Sequence, residues 1–202
     1  MEAKAESSPI SRKVALVGDS GVGKTRLMIR FHCGDYHEYH IPFYEWSYLE
    51  DIRLDGKQID LLMQDTSGNE EWDNIRQSSY PDAHVFLLCF SVDNPSSLES
   101  VKTKWLPEIL HFLSGHQVPY FLVGCRKDLR HDRRAIAAFE RSGSRFLSPE
   151  EGKAMAQSIA AVDYIECSAY SGEGVNELFA YATRTALLVT PPKKQRKDCI
   201  VI

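Results

Sequence analysis

The residues best suited to chemistry stand together in Gly18-Asp19-Ser20-Gly21-Val22-Gly23-Lys24-Thr25, which fits the pattern GxxxxGK[ST]. Glycines let a backbone curl until its N–H groups face a phosphate, the lysine reaches the outer phosphates, and the hydroxyl ligates magnesium. Those roles fall to Gly18, Gly23, Lys24 and Thr25, and Asp19, Ser20, Gly21 and Val22 complete the cradle. A chance glycine-rich turn is the competing reading. Against it stand an apolar run before the loop and a helix start after it, whose N-terminus favours anions. The loop alone does not choose ATP over GTP. Downstream, Asp65-Thr66-Ser67-Gly68 offers a carboxylate that can hold magnesium through water and a glycine N–H that can meet a terminal phosphate. Asp128 closes the segment Leu122-Val123-Gly124-Cys125-Arg126-Lys127-Asp128, and a carboxylate there can accept from both N1 and N2 of guanine, which adenine cannot supply. Ser168 and Ala169, in Glu166-Cys167-Ser168-Ala169, place small residues after another apolar run.

These groups need elements to hold them. Lys13 to Val17 reads as a strand, and Arg26 to Phe31 as the start of a helix. Trp46 to Leu54 and Ile59 to Gln64 read as strands joined at Asp55-Gly56, a dipeptide of tight hairpins, and so should pair antiparallel. Val85 to Val92 reads as a buried strand, Leu98 to Leu113 as a helix, and Tyr120 to Cys125 as another strand. Arg133 to Arg141 is a charged amphipathic stretch, and Ser148-Pro149-Glu150-Glu151 has the form of a helix start. Tyr164 to Cys167 and Val175 to Leu188 complete the series as strand and helix. Alternating strands and helices predict an α/β protein with a mostly parallel sheet covered on both faces.

Bulk properties narrow the setting. A chain of 202 residues suits one domain, and a net charge of −4 gives no bulk attraction to nucleic acid. Cys33, Cys89, Cys125, Cys167 and Cys199 are an odd set without a CxxC pair, which points to a reducing compartment without disulfides or zinc. Met1 to Lys13 is polar, and the longest apolar run, Val85 to Phe90, is too short to cross a bilayer, so the body of the protein is expected in the cytosol. His32, His37 and His40 cluster without a cysteine-histidine frame and read as exposed loop residues. Cys89, Cys167 and Trp105 read as packing residues.

In this order the motifs resemble the Ras superfamily of small GTPases and, within it, the Rho family, as a divergent member of fungal type. Leu54-Asp55-Gly56-Lys57-Gln58, Ser79-Tyr80-Pro81-Asp82, Lys104-Trp105, Lys127-Asp128-Leu129-Arg130 and Pro149-Glu150-Glu151-Gly152 carry the Rho likeness. The resemblance implies the P-loop small GTPase fold: a doubly wound, mostly parallel six-stranded sheet with helices on both faces and a Rho-type insert helix within about 131–148. It implies a flexible N-terminus over 1–11, a GTPase domain over 12–189 and a disordered basic tail over 190–202. It also implies GTP or GDP as ligand, Mg2+ held by Thr25 and Asp65, and catalysis by Lys24 and Asn69, the latter at the place of the family's water-orienting glutamine. Tyr36 aligns with an aromatic residue that packs across the base edge; a loop anchor is the other reading.

Several positions depart from the family. Phe43 stands where a threonine usually ligates magnesium, and Asn69 is one methylene shorter than glutamine. A misplacement of about 1 Å can cost roughly a hundredfold. Ser20 adds bulk where Rho proteins carry glycine; Cys125 and Arg126 replace the guanine-recognition asparagine and lysine; Tyr170 replaces a lysine; Gln64 replaces a tryptophan used by exchange factors. Tyr44 to Tyr48 keeps little of the effector pattern. The expected activity is GTP hydrolysis at a low rate. A hydrolysis-deficient pseudo-GTPase scaffold is the alternative, and a P-loop kinase or ATPase would leave Asp128 without a purpose.

Cys199-Ile200-Val201-Ile202 fits a CaaX box behind Lys193-Lys194-Gln195-Arg196-Lys197. Prenylation of Cys199 and the basic cluster would give two membrane signals, each basic residue worth about 1 kcal/mol near an anionic surface. The expected partners are exchange factors, GTPase-activating proteins, effectors, a prenyl-binding dissociation inhibitor and an anionic membrane, not nucleic acid. The expected location is the cytoplasmic face of a membrane, the plasma membrane foremost, with a cytosolic pool.

Overall fold

A computed structural model describes residues 8–36, 47–113 and 116–189. Strand β1 (Ile10–Val17) leads through the glycine-rich loop into helix α1 (Lys24–Cys33). Strands β2 (Ser47–Leu54) and β3 (Lys57–Asp65) pair antiparallel, from Ser47 opposite Gln64 to Leu54 opposite Lys57. Their turn places Asp55 at φ 51° and Gly56 at φ 77°, two successive left-handed residues whose twist matches that of the strands they join. A 3-10 turn (Glu70–Trp72) and the short helix α2 (Asp73–Ser78) precede strand β4 (Val85–Ser91), every residue of which is buried.

Helix α3 (Pro95–Ser100) passes through a π-helical turn (Val101–Trp105) into α4 (Leu106–Phe112). The chain is thus helical from residue 95 to residue 112, but with a widened turn that hydrophobic spacing did not announce. Pro107 gives the physical reason: it has no N–H to donate to the carbonyl four residues back, and its ring crowds that carbonyl. The Leu106 N–H bonds Val101 O, five residues earlier, instead of closing an ordinary turn.

Strand β5 (Tyr120–Cys125), a 3-10 turn (Lys127–His131), helix α5 (Arg133–Ser142), helix α6 (Pro149–Ser158), strand β6 (Tyr164–Glu166) and helix α7 (Val175–Leu188) finish the domain. Asp132 caps α5 by accepting from the N–H groups of Arg134 (2.7 Å) and Ala135 (2.9 Å). No residue of α5 is fully buried, as befits the insert helix expected there. Helix α6 opens on a capping box, Ser148 and Glu151 each bonding the other's backbone N–H.

The six strands form one sheet in the order β2-β3-β1-β4-β5-β6, parallel except for the β2–β3 pair. The doubly wound, mostly parallel sheet with helices on both faces is borne out. One face packs Leu16, Leu61, Met63, Leu87 and Val123 against Leu27 and Met28 of α1 and Leu178 and Phe179 of α7. The other packs Val17, Phe86, Leu88 and Leu122 against Leu98, Val101, Trp105 and Ile109, with Ala156 of α6 and Ile159 that caps it. Strands covered on both sides must be apolar at nearly every position, which explains the unbroken run in β4. From β1 the chain proceeds to one side through β3 and to the other through β4. The loops leaving the carboxyl ends of these strands therefore open at a switch of direction, where sheets of this kind bind ligands.

Candidate functional site

The loop after β1 is shaped by what lies beneath it. A Cβ on Gly18 would fall 2.2 Å from Cys89 O of β4, so the backbone approaches too closely for any side chain. Gly23, at φ 112°, caps α1 in a conformation that residues with a Cβ resist. Lys24 is 5% exposed and folds back over the loop, its Nζ donating to Gly18 O (2.7 Å) and Asp19 O (2.9 Å). Burial lowers its pKa, opposed chiefly by the nearby Asp65 carboxylate.

Asp65 ends β3 with 6% exposure, and burial raises its pKa against the pull of Lys24 and of Thr25. Its Oδ2 accepts from the Thr25 hydroxyl, while its buried Oδ1 has no hydrogen-bond partner among the described residues. An orphaned carboxylate oxygen beside a hydroxyl, at the mouth of a phosphate-binding loop, fits a hard cation with oxygen ligands, and Mg2+ completes its shell with water and substrate phosphates. The Thr66 hydroxyl donates to Leu16 O (2.7 Å) and pins the end of β3 to β1. Gly68 lies against the loop so closely that a Cβ would fall 2.2 Å from the Ser20 N.

Asn69 is exposed and caps the following 3-10 turn: its Oδ1 accepts from Glu71 N (3.2 Å) and its Nδ2 donates to the Glu71 carboxylate (3.2 Å). Its amide is thereby occupied by its own turn. Ser20 and Gly21 stand exposed at the loop's tip.

A cavity of about 340 Å³ runs from Gly23 and Arg26 of α1 to Asp128 and Ala169. That volume suits a small ligand, and Asp128 supplies a carboxylate in its wall. Cys125 is buried in the floor, 3.5 Å from where a Cβ of Gly23 would stand. Arg126 takes a left-handed φ of 61°, which turns its guanidinium back to donate to Gly21 O (2.5 Å) and to meet Asp93 (3.3 Å). It ties the loop after β5 to the glycine-rich loop after β1. Ser168 is fully buried, with its Oγ accepting from Ser171 N (3.0 Å), so its side chain serves its own turn. Tyr36 lines the cavity with its ring 5.2 Å edge-on to Tyr170 and the Arg26 guanidinium 5.1 Å above it. The contact with Tyr170 sets the Tyr36 ring beside the cavity.

Sequence reasoning missed three supports. Trp105, read as packing alone, also donates its indole N–H to the Asp19 carboxylate (2.7 Å). Arg76, 1% exposed, donates to Glu108 (2.7 and 2.9 Å), Asp73 (2.6 Å) and the carbonyls of Ser67 (3.0 Å) and Asn69 (3.3 Å). Arg130 donates to Glu166 (2.5 and 2.7 Å) and to Leu147 O, bracing the loop after β5 against the end of β6. Charged residues in short helices and turns give no periodic signal, and only the fold shows that Arg76 is buried and Arg130 partly so.

His32 pairs with Glu50, and among the described residues no group of three or more His, Cys, Asp or Glu could hold a metal. Cys89 and Cys167 are buried core residues. Phe43, Tyr44 to Trp46, His37, His40, Cys199 and the basic tail lie outside the described residues. No helix among the described residues is long and apolar enough to cross a membrane.

A phosphate loop on β1 of a doubly wound sheet, with a carboxylate at each end of the site, defines a P-loop nucleotide-binding protein. A model of the Ras family matches residues 13–188. The chain is 45% identical over 193 residues to GTP-binding protein RHO1 of Candida albicans, covering 96% of each chain. It is 42% identical to GTP-binding protein rho1 of Schizosaccharomyces pombe (97% of this chain, 100% of that one). It is 40% identical to GTP-binding protein RHO1 of Saccharomyces cerevisiae, covering 96% of each. The chain belongs to the Rho family of Ras-type small GTPases. Membership implies guanine-nucleotide binding, GTP hydrolysis, and regulators and effectors of the general kind.

Proposed function

We propose that this chain is a membrane-tethered signalling switch, of the kind that directs cytoskeleton or polarity, that binds magnesium-bound GTP firmly and hydrolyses it slowly. The observation that carries the metal and phosphate part is the orphaned Asp65 Oδ1 beside Thr25 and Lys24. Water attacks the γ-phosphate in line, and the Lys24 ammonium balances the charge gathering on the phosphate oxygens. Thr25, and Asp65 through water, would hold magnesium, which would supply further charge neutralisation. Asp128 recognises guanine. Cys125 and Arg126 keep the loop in place by packing and by the bond to Gly21 O rather than by an asparagine amide.

Slow turnover follows from Asn69. It is the water-positioning candidate, yet its shorter amide is engaged by Glu71 at both its oxygen and its nitrogen. Freeing it costs two hydrogen bonds, and its reach is still one methylene short. Phe43, at the place of a magnesium-ligating threonine, points the same way: the first switch would close weakly, and GTP affinity would depend less on magnesium than in an ordinary Rho protein. Cys199 and the basic cluster before it support a prenylated tail on the cytoplasmic face of the plasma membrane, with a cytosolic pool carried by a dissociation inhibitor.

The deciding experiment is single-turnover GTP hydrolysis by the parent and by Asn69→Gln, after identifying the nucleotide that co-purifies. The proposal expects guanine nucleotide, a parent rate below the family's intrinsic range of about 10⁻⁴ to 10⁻³ per second, and a rise of tenfold or more in the variant. A parent rate within that range and no gain in Asn69→Gln would defeat the slow-hydrolysis reading. No bound nucleotide and no measurable guanine affinity would replace the switch by a scaffold.

A further inference from the structure

We propose that Trp105 is a positioning residue for hydrolysis, a buried strut that fixes the phosphate loop against the segment Ser67-Gly68-Asn69. This rests on the reading of the chain as a working GTPase. The ring is fully buried, so its N–H must find an acceptor inside the protein or remain unsatisfied. The acceptor is Asp19 Oδ1 at 2.7 Å, and the carbonyl of the same Asp19 holds Lys24 Nζ at 2.9 Å. On its other side the ring carries the Arg76 guanidinium, 4.8 Å from the ring centre. Arg76 in turn donates to the carbonyls of Ser67 and Asn69, the two residues flanking Gly68.

A continuous path therefore runs from Lys24 through Asp19, Trp105 and Arg76 to the backbone that presents Asn69. It meets a second contact that closes the ring, because Gly68 itself lies against Asp19 and Ser20 with no space for a Cβ. Trp105 reaches Asp19 from the last position of the π-helical turn, and such widened turns recur at functional sites. Ordinary packing does not need the hydrogen bond to Asp19, since a phenylalanine would fill the core as an apolar ring. The strut holds the two halves of the site at one separation, and an error of about 1 Å in that separation is large on the scale of a water held for in-line attack.

The test is a cycle of Trp105→Phe, Asp19→Ala and the double variant, read by single-turnover GTP hydrolysis, GDP release and amide hydrogen exchange in the GTP-analogue complex. Trp105→Phe keeps a ring beneath Arg76 but loses the donor; Asp19→Ala keeps the whole ring and loses the acceptor. Each single variant is expected to lower hydrolysis about tenfold and to raise exchange over residues 67–72 about tenfold, with β4 and β5 unaffected and with GDP release changed less than threefold in Trp105→Phe. The double variant should be no worse than either single one. Lys104→Gln removes the half-buried cation that also touches the ring, at 4.6 Å, together with its ion pair to Glu70 at 3.1 Å, and should leave hydrolysis within twofold.

The proposal is overturned if the single effects multiply in the double variant, if exchange over 67–72 stays at the parent level, or if Lys104→Gln matches Trp105→Phe. If the unaltered protein does not hydrolyse GTP at all, the slow-enzyme reading fails, while hydrogen exchange still decides whether the strut exists.

Discussion

Replacing Glu108 by glutamine should destabilise the domain by about 3 kcal/mol, because it strips the main counter-charge from a guanidinium that water cannot reach. The Arg76 side chain has no exposure and that of Glu108 has 14%. Two of the guanidinium's hydrogen bonds end on the Glu108 carboxylate, at 2.7 and 2.9 Å, and the Tyr80 hydroxyl donates to the same group. Glutamine keeps the shape and one acceptor oxygen but turns an NH2 group toward Arg76 where an oxygen stood. Removing one partner of a buried ion pair costs about 3–5 kcal/mol, and the lower end applies here because Asp73 still meets Arg76 at 2.6 Å. With a urea slope of about 2–3 kcal/mol per molar, the unfolding midpoint should fall by about 1 M. The measurement is urea unfolding of both proteins at one saturating GDP concentration, so that ligand linkage contributes equally to each. A midpoint shift below about 0.3 M would show that the pair is not the buried, dry contact described here.

Two further tests address other parts of the molecule. Gly152→Ala would place a Cβ 2.1 Å from the Tyr164 ring, which is itself held by its hydroxyl bond to Glu166; a loss of about 1–3 kcal/mol should lower Tm by roughly 5 °C, and an unchanged Tm would refute the crowding. His84 is buried with its Nδ1 accepting from Lys13 N (3.1 Å), and burial, reinforced by the charges of Arg12 and Lys13, lowers its pKa. The unfolded chain then binds a proton near pH 6.5 that the folded chain refuses, so stability should fall as the pH drops below about 6.5 and level off beneath the folded pKa. Thermal melts from pH 7.5 to 5.5 should slope less in His84→Gln, and equal slopes would exclude His84 as the source.

Much of the fold was legible beforehand because burial imposes a period on the sequence. β4, closed in on both faces, could only be an apolar run, and Asp55-Gly56 could only be a tight turn between Leu54 and Lys57. The helix after Asn94 was legible as a helix, but its π-helical turn was not, since apolar spacing does not register one inserted residue. Pro107 was the available signal.

The sequence by itself determined the glycine-rich loop, the carboxylate at Asp128 and the departures at Phe43, Asn69 and Cys125, because those depend on residue type at fixed spacing. It named Asp65 and Thr25 as a pair although they are 40 residues apart. Only the tertiary structure decided that Asp65 keeps a lone oxygen, that the Asn69 amide is occupied by Glu71, and that Asp19 is joined to residues 67–69 through Trp105 and Arg76. Spacing along a chain can say which groups are present. Which of them is buried, satisfied or already engaged depends on neighbours that the sheet brings together from distant segments.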